Sequence, residues 1–204
     1  MANGKRAAAQ RSLLAQTAAQ LMHEQGIRDF RLAKEKAAAR LGIDVRRGPL
    51  PRNTEIEAAL VEYQRLFGGE RHDAALETLR RAALDAMRML ADFRPRLVGD
   101  VLSGVATEHS DVQLHVFAEH SESFDLFLQS QGVPFDLTER RFRYGRGEYR
   151  HYPAFRFAAG EVGFEAVVFP LAEIRRAPDS LVDGAPMARA KPAEVERLLA
   201  GDDD

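Results

Sequence analysis

The sequence predicts an α+β protein, a sheet flanked by helices with a helical extension ahead of it, and three observations predict it. The first ninety residues carry apolar side chains at helical spacing, and the texture changes to short β-prone runs after Pro95. The composition, 45% apolar and 29% charged, is that of a chain with a core to bury. Its 204 residues suffice for one domain with an extension, or for two small domains. We expect residues 1–69 to form a basic helical region and residues 70–204 to form the sheet-bearing domain.

Taken in order, Lys5 to Gln25 is rich in Ala, Gln and Leu, with Leu13, Leu14, Ala18, Leu21 and Met22 at helical spacing and Gly26 as a stop. Asp29 is a cap for a second helix that Gly42 ends. Arg47-Gly48-Pro49-Leu50-Pro51 reads as a linker, because closely spaced prolines cannot propagate a helix. Asn53 or Thr54 caps a third helix carrying Ile56, Leu60, Tyr63, Leu66 and Phe67, and Gly68-Gly69 stops it. A fourth runs from about Arg71 to Asp92, with Leu76, Leu79, Ala83, Met87 and Leu90 in one stripe. Arg96–Leu102 and Val112–Phe117 read as strands, and Glu122–Gln131 as a helix. Three strands follow, Phe135–Tyr144, Tyr149–Ala158 and Val162–Phe169, then a Pro-rich loop and a short helix over Pro192–Leu199.

Charge is distributed unevenly. Residues 1–52 hold eleven Lys/Arg against four acids, and the remainder holds eighteen against twenty-seven. A basic arm on an acidic body suits either an anionic partner or docking of one part on the other. Within it, Ala33–Ile43 looks like half of a helix-turn-helix, although a packed amphipathic helix with a solvated basic face explains the same residues more simply. With no cysteine, any metal would be held by oxygen or histidine. No window approaches the roughly eighteen apolar residues of a membrane span, and the N-terminus lacks a signal core, so we expect a cytoplasmic protein without membrane contact. The histidines show no zinc spacing, and neither a P-loop nor a nucleophile elbow occurs.

One constellation carries chemistry. Residues 98–117 read Val-Gly-Asp-Val-Leu-Ser-Gly-Val-Ala-Thr-Glu-His-Ser-Asp-Val-Gln-Leu-His-Val-Phe. In a strand, Asp111, Gln113 and His115 share one face, while Val112, Leu114 and Val116 point the other way. This stretch resembles the signature of the polymerase-β-like nucleotidyltransferase superfamily, in which a strand ends in Gly-Ser, a second glycine follows, and a Ser-Asp-x-Asp strand comes next. Gly99 and Gly104 fall on the glycines, Ser110 on the serine, Asp111 and Gln113 on the two acid positions, and Glu165 on a later carboxylate.

The resemblance implies a nucleotidyltransferase-like mixed sheet. It also implies Mg2+ held by Asp111 and Glu165, a catalytic set of Asp111, Gln113 and Glu165, and a nucleoside triphosphate held at Gly99, Asp100, Ser103, Gly104 and Ser110. Such transfer needs two divalent ions beside the α-phosphate. Two positions depart from the pattern: Asp100 puts an anion where a phosphate should be received, and Gln113 supplies an oxygen without charge. Two readings follow, a magnesium-dependent transferase acting on an unknown acceptor, or a fold that has lost catalysis and binds nucleotide, RNA or protein. Arg140, Arg141, Arg143, Arg146 and Arg150, interleaved with aromatics on a hairpin, suit phosphate contact with base stacking. The loop Ala177–Arg189 could fold back as a lid over the site, and His115 reads as a strand-face residue that could line it.

Overall fold

The computed structural model describes residues 2–44, 48–145 and 147–201. The linker residue Arg47 and the hairpin residue Arg146 lie outside them. Contacts divide the chain into two compact units, residues 1–73 with 181–183, and residues 74–180 with 184–204.

The first unit contains α1 (Ala2–Gln25), α2 (Phe30–Leu41) and α3 (Asn53–Phe67). Alanines make close packing possible: Ala15, Ala18 and Ala19 of α1 and Ala33, Ala37 and Ala38 of α2 are buried with Leu14, Leu21, Ile56 and Leu60. Asp29 caps α2 as expected, accepting from the Leu32 N–H at 2.9 Å, and Gly42 closes it in the left-handed conformation. Asn53 is the first residue of α3 and not its cap. The Glu55 carboxylate instead reaches back to accept from the Arg52 N–H at 2.8 Å. Leu13, Leu66 and Phe67, counted among the apolar residues of their helices, are exposed. Three of the basic residues of α2, Arg31, Lys36 and Arg40, are exposed, Arg31 pairing with Glu35 at 2.9 Å, whereas Lys34 is half-buried and donates to Asn53 Oδ1 at 2.6 Å.

The second unit is built on a five-stranded mixed sheet: β1 (Arg96–Val98), β2 (Val112–Ala118), β3 (Phe135–Tyr144), β4 (Glu148–Ala159) and β5 (Val162–Pro170) in the order β1-β2-β5-β4-β3. Only β2 and β5 run parallel; the other neighbours are antiparallel. The helix α4 (Gly69–Met89) reaches this unit, where Leu79, Ala83 and Met87 join the main core with α6 (Glu122–Ser130) and α7 (Pro192–Ala200). Phe124, Phe155 and Leu128 fill its centre.

The expected strand over Arg96–Leu102 is cut short. Gly99 takes φ +71°, a conformation open to glycine and costly to other residues, and the chain turns there into the short helix α5 (Gly99–Ser103). No helix among the described residues is long and apolar enough to cross a membrane.

Candidate functional site

Register assembles the site. Gln113 of β2 is paired with Glu165 of β5, Glu165 with Arg156 of β4, and Arg156 with Asp136 of β3, so one row of polar side chains crosses four strands on one face. Asp111 immediately precedes β2, two residues before Gln113, and so stands beside this row on the same face. Its carboxylate lies over Gly163, occupying the space that a Cβ there would need. The amide oxygen of Gln113 lies over Gly99 in the same way. Each polar side chain therefore rests on a glycine of a neighbouring segment, and a side chain at either glycine would displace it.

Both acids have guanidinium partners. Arg140 Nε is 3.0 Å from Glu165 Oε2, and Arg156 Nη2 is 3.5 Å from Asp111 Oδ2. The arginines are about half exposed, whereas Glu165 retains only 12% of its side-chain surface. This answers the cost of burying a lone acid in a strand: water does not reach it freely, and a cation meets it.

Several of the residues assigned to triphosphate also make contacts within their own loop. The Gly104 N–H donates to the Asp100 carbonyl, as do those of Val105 at 3.0 Å and Ala106 at 3.2 Å. Ser110 is buried, and its Oγ accepts from the Thr107 N–H at 3.0 Å. Ser103 is exposed, with its hydroxyl 3.4 Å from the Asp100 carbonyl. Magnesium fits this donor set poorly. The central oxygen is neutral and packed on Gly99, both carboxylates face arginines, and among the described residues no group of three or more His, Cys, Asp or Glu is placed to hold a metal.

The arginine hairpin divides into parts. Arg140 and Arg156 reach the row just described. Arg143 pairs with Asp179 at 3.1 Å, and Arg150 with Glu148 at 2.6 Å and with Glu173. Arg141 stacks over Tyr149, its guanidinium carbon 4.7 Å from the ring centroid.

Two expectations need correction at the opposite end of this face. His115 does not line an open site; it is 2% exposed, packed against Phe142 and Phe169. Its Nδ1 accepts from Arg189 Nε at 3.0 Å, so the ring is neutral with its proton on Nε2. Burial, then the Arg189 charge, hold its pKa well below the ordinary histidine value. The Ala177–Arg189 loop is likewise no lid over Asp111. Through Asp179 and Arg189 it secures a second core formed by Phe117, Tyr144, Tyr152, Val167 and Phe169. Glu173 lies against this core, accepting from Tyr152 Oη at 2.6 Å and Tyr144 Oη at 3.2 Å. Arg156, Asp136, Gly163 and Arg189 were not singled out for these contacts by sequence, because only strand register and tertiary packing reveal them.

No family model matches the chain, and no curated protein matches it in sequence. Among solved structures it is similar to Cid1 in complex with the UTP analogue UMPNPP, at 20% identity and a TM-score of 0.33, covering 46% of this chain and 30% of that one. A structure of Cid1 poly(U) polymerase bound to MgATP is similar at 18% identity with the same TM-score, covering 46% and 32%. A cytoplasmic RNA terminal U-transferase is similar at 22% identity and a TM-score of 0.28, covering 47% and 27%. The matched part spans less than a third of the length of those proteins.

Proposed function

We propose that this chain is a nucleotidyltransferase-like module that binds nucleotide phosphate with arginines, having given up metal-dependent transfer. The observation that carries this reading is the pairing of Asp111 and Glu165 with Arg156 and Arg140 around the neutral Gln113. The likeness to the superfamily rests on the chain's own arrangement: a strand ending at Gly99, the short helix closed by Gly104, Ser110-Asp111 entering β2, and Glu165 opposite Gln113 on β5. In a transferase, carboxylates on such a face concentrate divalent ions. Here guanidinium groups are already beside them, and half-exposed guanidiniums are good phosphate ligands because of their planar set of donors.

Thermal denaturation with each nucleoside triphosphate, with and without magnesium, tests the reading. A ligand at a hundred times its dissociation constant adds about 2.7 kcal/mol to stability. The expected result is a shift that persists in chelator, weakens in Arg140→Gln, and is accompanied by no transfer of labelled nucleotide. A magnesium-dependent shift abolished by Asp111→Ala, together with labelled product, would establish the transferase instead.

A further inference from the structure

Beside Asp111 the face of the sheet is hollowed into a cavity of about 440 Å³, lined by Asp111, Pro134, Asp136, Arg156, Ala158 and Gly163 and by the strand segments around them. Its volume falls within the range of small-molecule sites. Two small residues produce the hollow. Ala158 and Gly163 are register partners on adjacent strands; the Asp111 carboxylate rests over Gly163 as one wall, and the floor is the Ala158 methyl with the strand backbone beside it. The rim is polar and ordered by the same register: Asp136 and Arg156 are directly opposed on β3 and β4, and Asp111 stands across from them.

We propose that this cavity is a guanine-binding site. The low floor at Ala158 leaves room for a ring against the strand backbone, and the rim offers a carboxylate next to a guanidinium. Guanine is the base whose edge answers that pair. Its N1–H and N2–H are adjacent donors suited to the two oxygens of one carboxylate, while O6 and N7 are adjacent acceptors suited to a guanidinium. Adenine and cytosine each bring a single amino group beside an acceptor, and uracil brings one N–H between two carbonyls, so each leaves a rim oxygen unanswered. Asp136 is assigned to the donor edge and Arg156 to O6 and N7. At 3.5 Å and more than half exposed, the contact of Arg156 with Asp111 is weak enough to yield to a base. The proposal rests on the nucleotide-binding reading above and adds which base is held, and where.

The test is calorimetric titration of the full chain with guanosine, adenosine, cytidine and uridine, none carrying phosphate and none needing metal. GTP and ATP are titrated in parallel, as are short oligoribonucleotides ending in guanosine or adenosine, which separate a free nucleotide from an RNA end. Guanosine is expected to bind at least about tenfold more tightly than the other nucleosides, one good base contact's worth of discrimination. Asp136→Asn should remove that preference, and Ala158→Leu should abolish binding by raising the floor, with the melting transition confirming that both variants fold. Equal binding of the four nucleosides, or a preference untouched by both variants, overturns the proposal. If GTP and ATP bind equally and Arg140→Gln weakens both while guanosine does not bind, the base site fails and the phosphate-binding reading stands. If guanosine binds as tightly as GTP and Arg140→Gln changes neither, the base site stands and the phosphate reading fails.

Discussion

Two ends of one sheet face, built from the same strands, carry the same kinds of residue to opposite ends. At one end Gln113 and Glu165 are partly buried beside the exposed Arg156; two residues further along β2 and β5, His115 is sealed under Arg189 and Val167 is buried in the second core. Glu165 and Glu173 make the contrast sharpest, because each retains 12% of its side-chain surface. Burial alone does not distinguish them. Glu173 is fixed by two tyrosine hydroxyls and by Arg150, and the same tyrosines are held protonated, their pKa values raised mainly by burial. Glu165 has one half-exposed arginine. A carboxylate with every oxygen answered by fixed neighbours supports a fold, whereas one with a single movable partner is available to a ligand.

The sealed end should therefore dominate stability. Phe169 is fully buried, contacts His115, Phe142 and Tyr152 through its ring, and lies under the Arg189 guanidinium at 4.8 Å. Phe169→Ala is expected to cost about 3–5 kcal/mol in denaturant unfolding. A loss below about 1 kcal/mol would mean that the second core is not one packed unit, and the contrast between the ends would collapse.

A smaller effect, dependent on pH, comes from His115. Its folded pKa is depressed, so below the unfolded value of about 6.5 the unfolded chain binds a proton that the folded chain refuses. This group's contribution is complete above about pH 6.5 and falls as pH drops, by up to about 1.4 kcal/mol per pH unit. Unfolding curves of the wild type and His115→Gln should separate in slope between pH 7 and pH 5, the variant lacking this loss. Parallel curves would show that the histidine is reached by water and that this end is not sealed.

How much of this was legible in the sequence follows from the same contrast. The strands β3, β4 and β5 could be located because Gly145, Gly147 and Gly160 break the β-prone run between them. The shared face of Asp111 and Gln113 followed from the alternation of side chains along a strand. The sealing of His115 did not, since its cover comes from Arg189, 74 residues further on, and no local pattern distinguishes a strand face covered by distant chain from one left open. Arg140 was visible as a basic residue on a hairpin, but neither it nor Arg156 as a partner of Glu165 or Asp111, because pairing depends on how the strands register against one another. The strand expected through Leu102 failed for a local reason: apolar Val101 and Leu102 suit strand or helix equally, and Gly99 decides between them by its positive φ.

The smallest expected effect is the most informative about function. Glu165→Gln keeps the shape of the side chain and removes its charge, releasing Arg140, which already has water around half of its surface. Stability should change by less than about 1 kcal/mol, the usual range for a pair with one solvated partner. The equivalent change at the sealed end, Glu173→Gln, should cost more, about 2 kcal/mol, because an amide cannot accept from the tyrosines and Arg150 with both of its terminal atoms. Binding should move the other way. With its carboxylate competitor gone, Arg140 is expected to hold phosphate more tightly in Glu165→Gln, so that the triphosphate-induced rise in Tm grows, while Glu173→Gln leaves that rise unchanged. Equal stability losses in the two variants would make Glu165 a second structural anchor. A triphosphate shift lost in Glu165→Gln would show that the carboxylate itself takes part in binding, as a metal ligand would, and would return the site to the chemistry from which its arginines otherwise separate it.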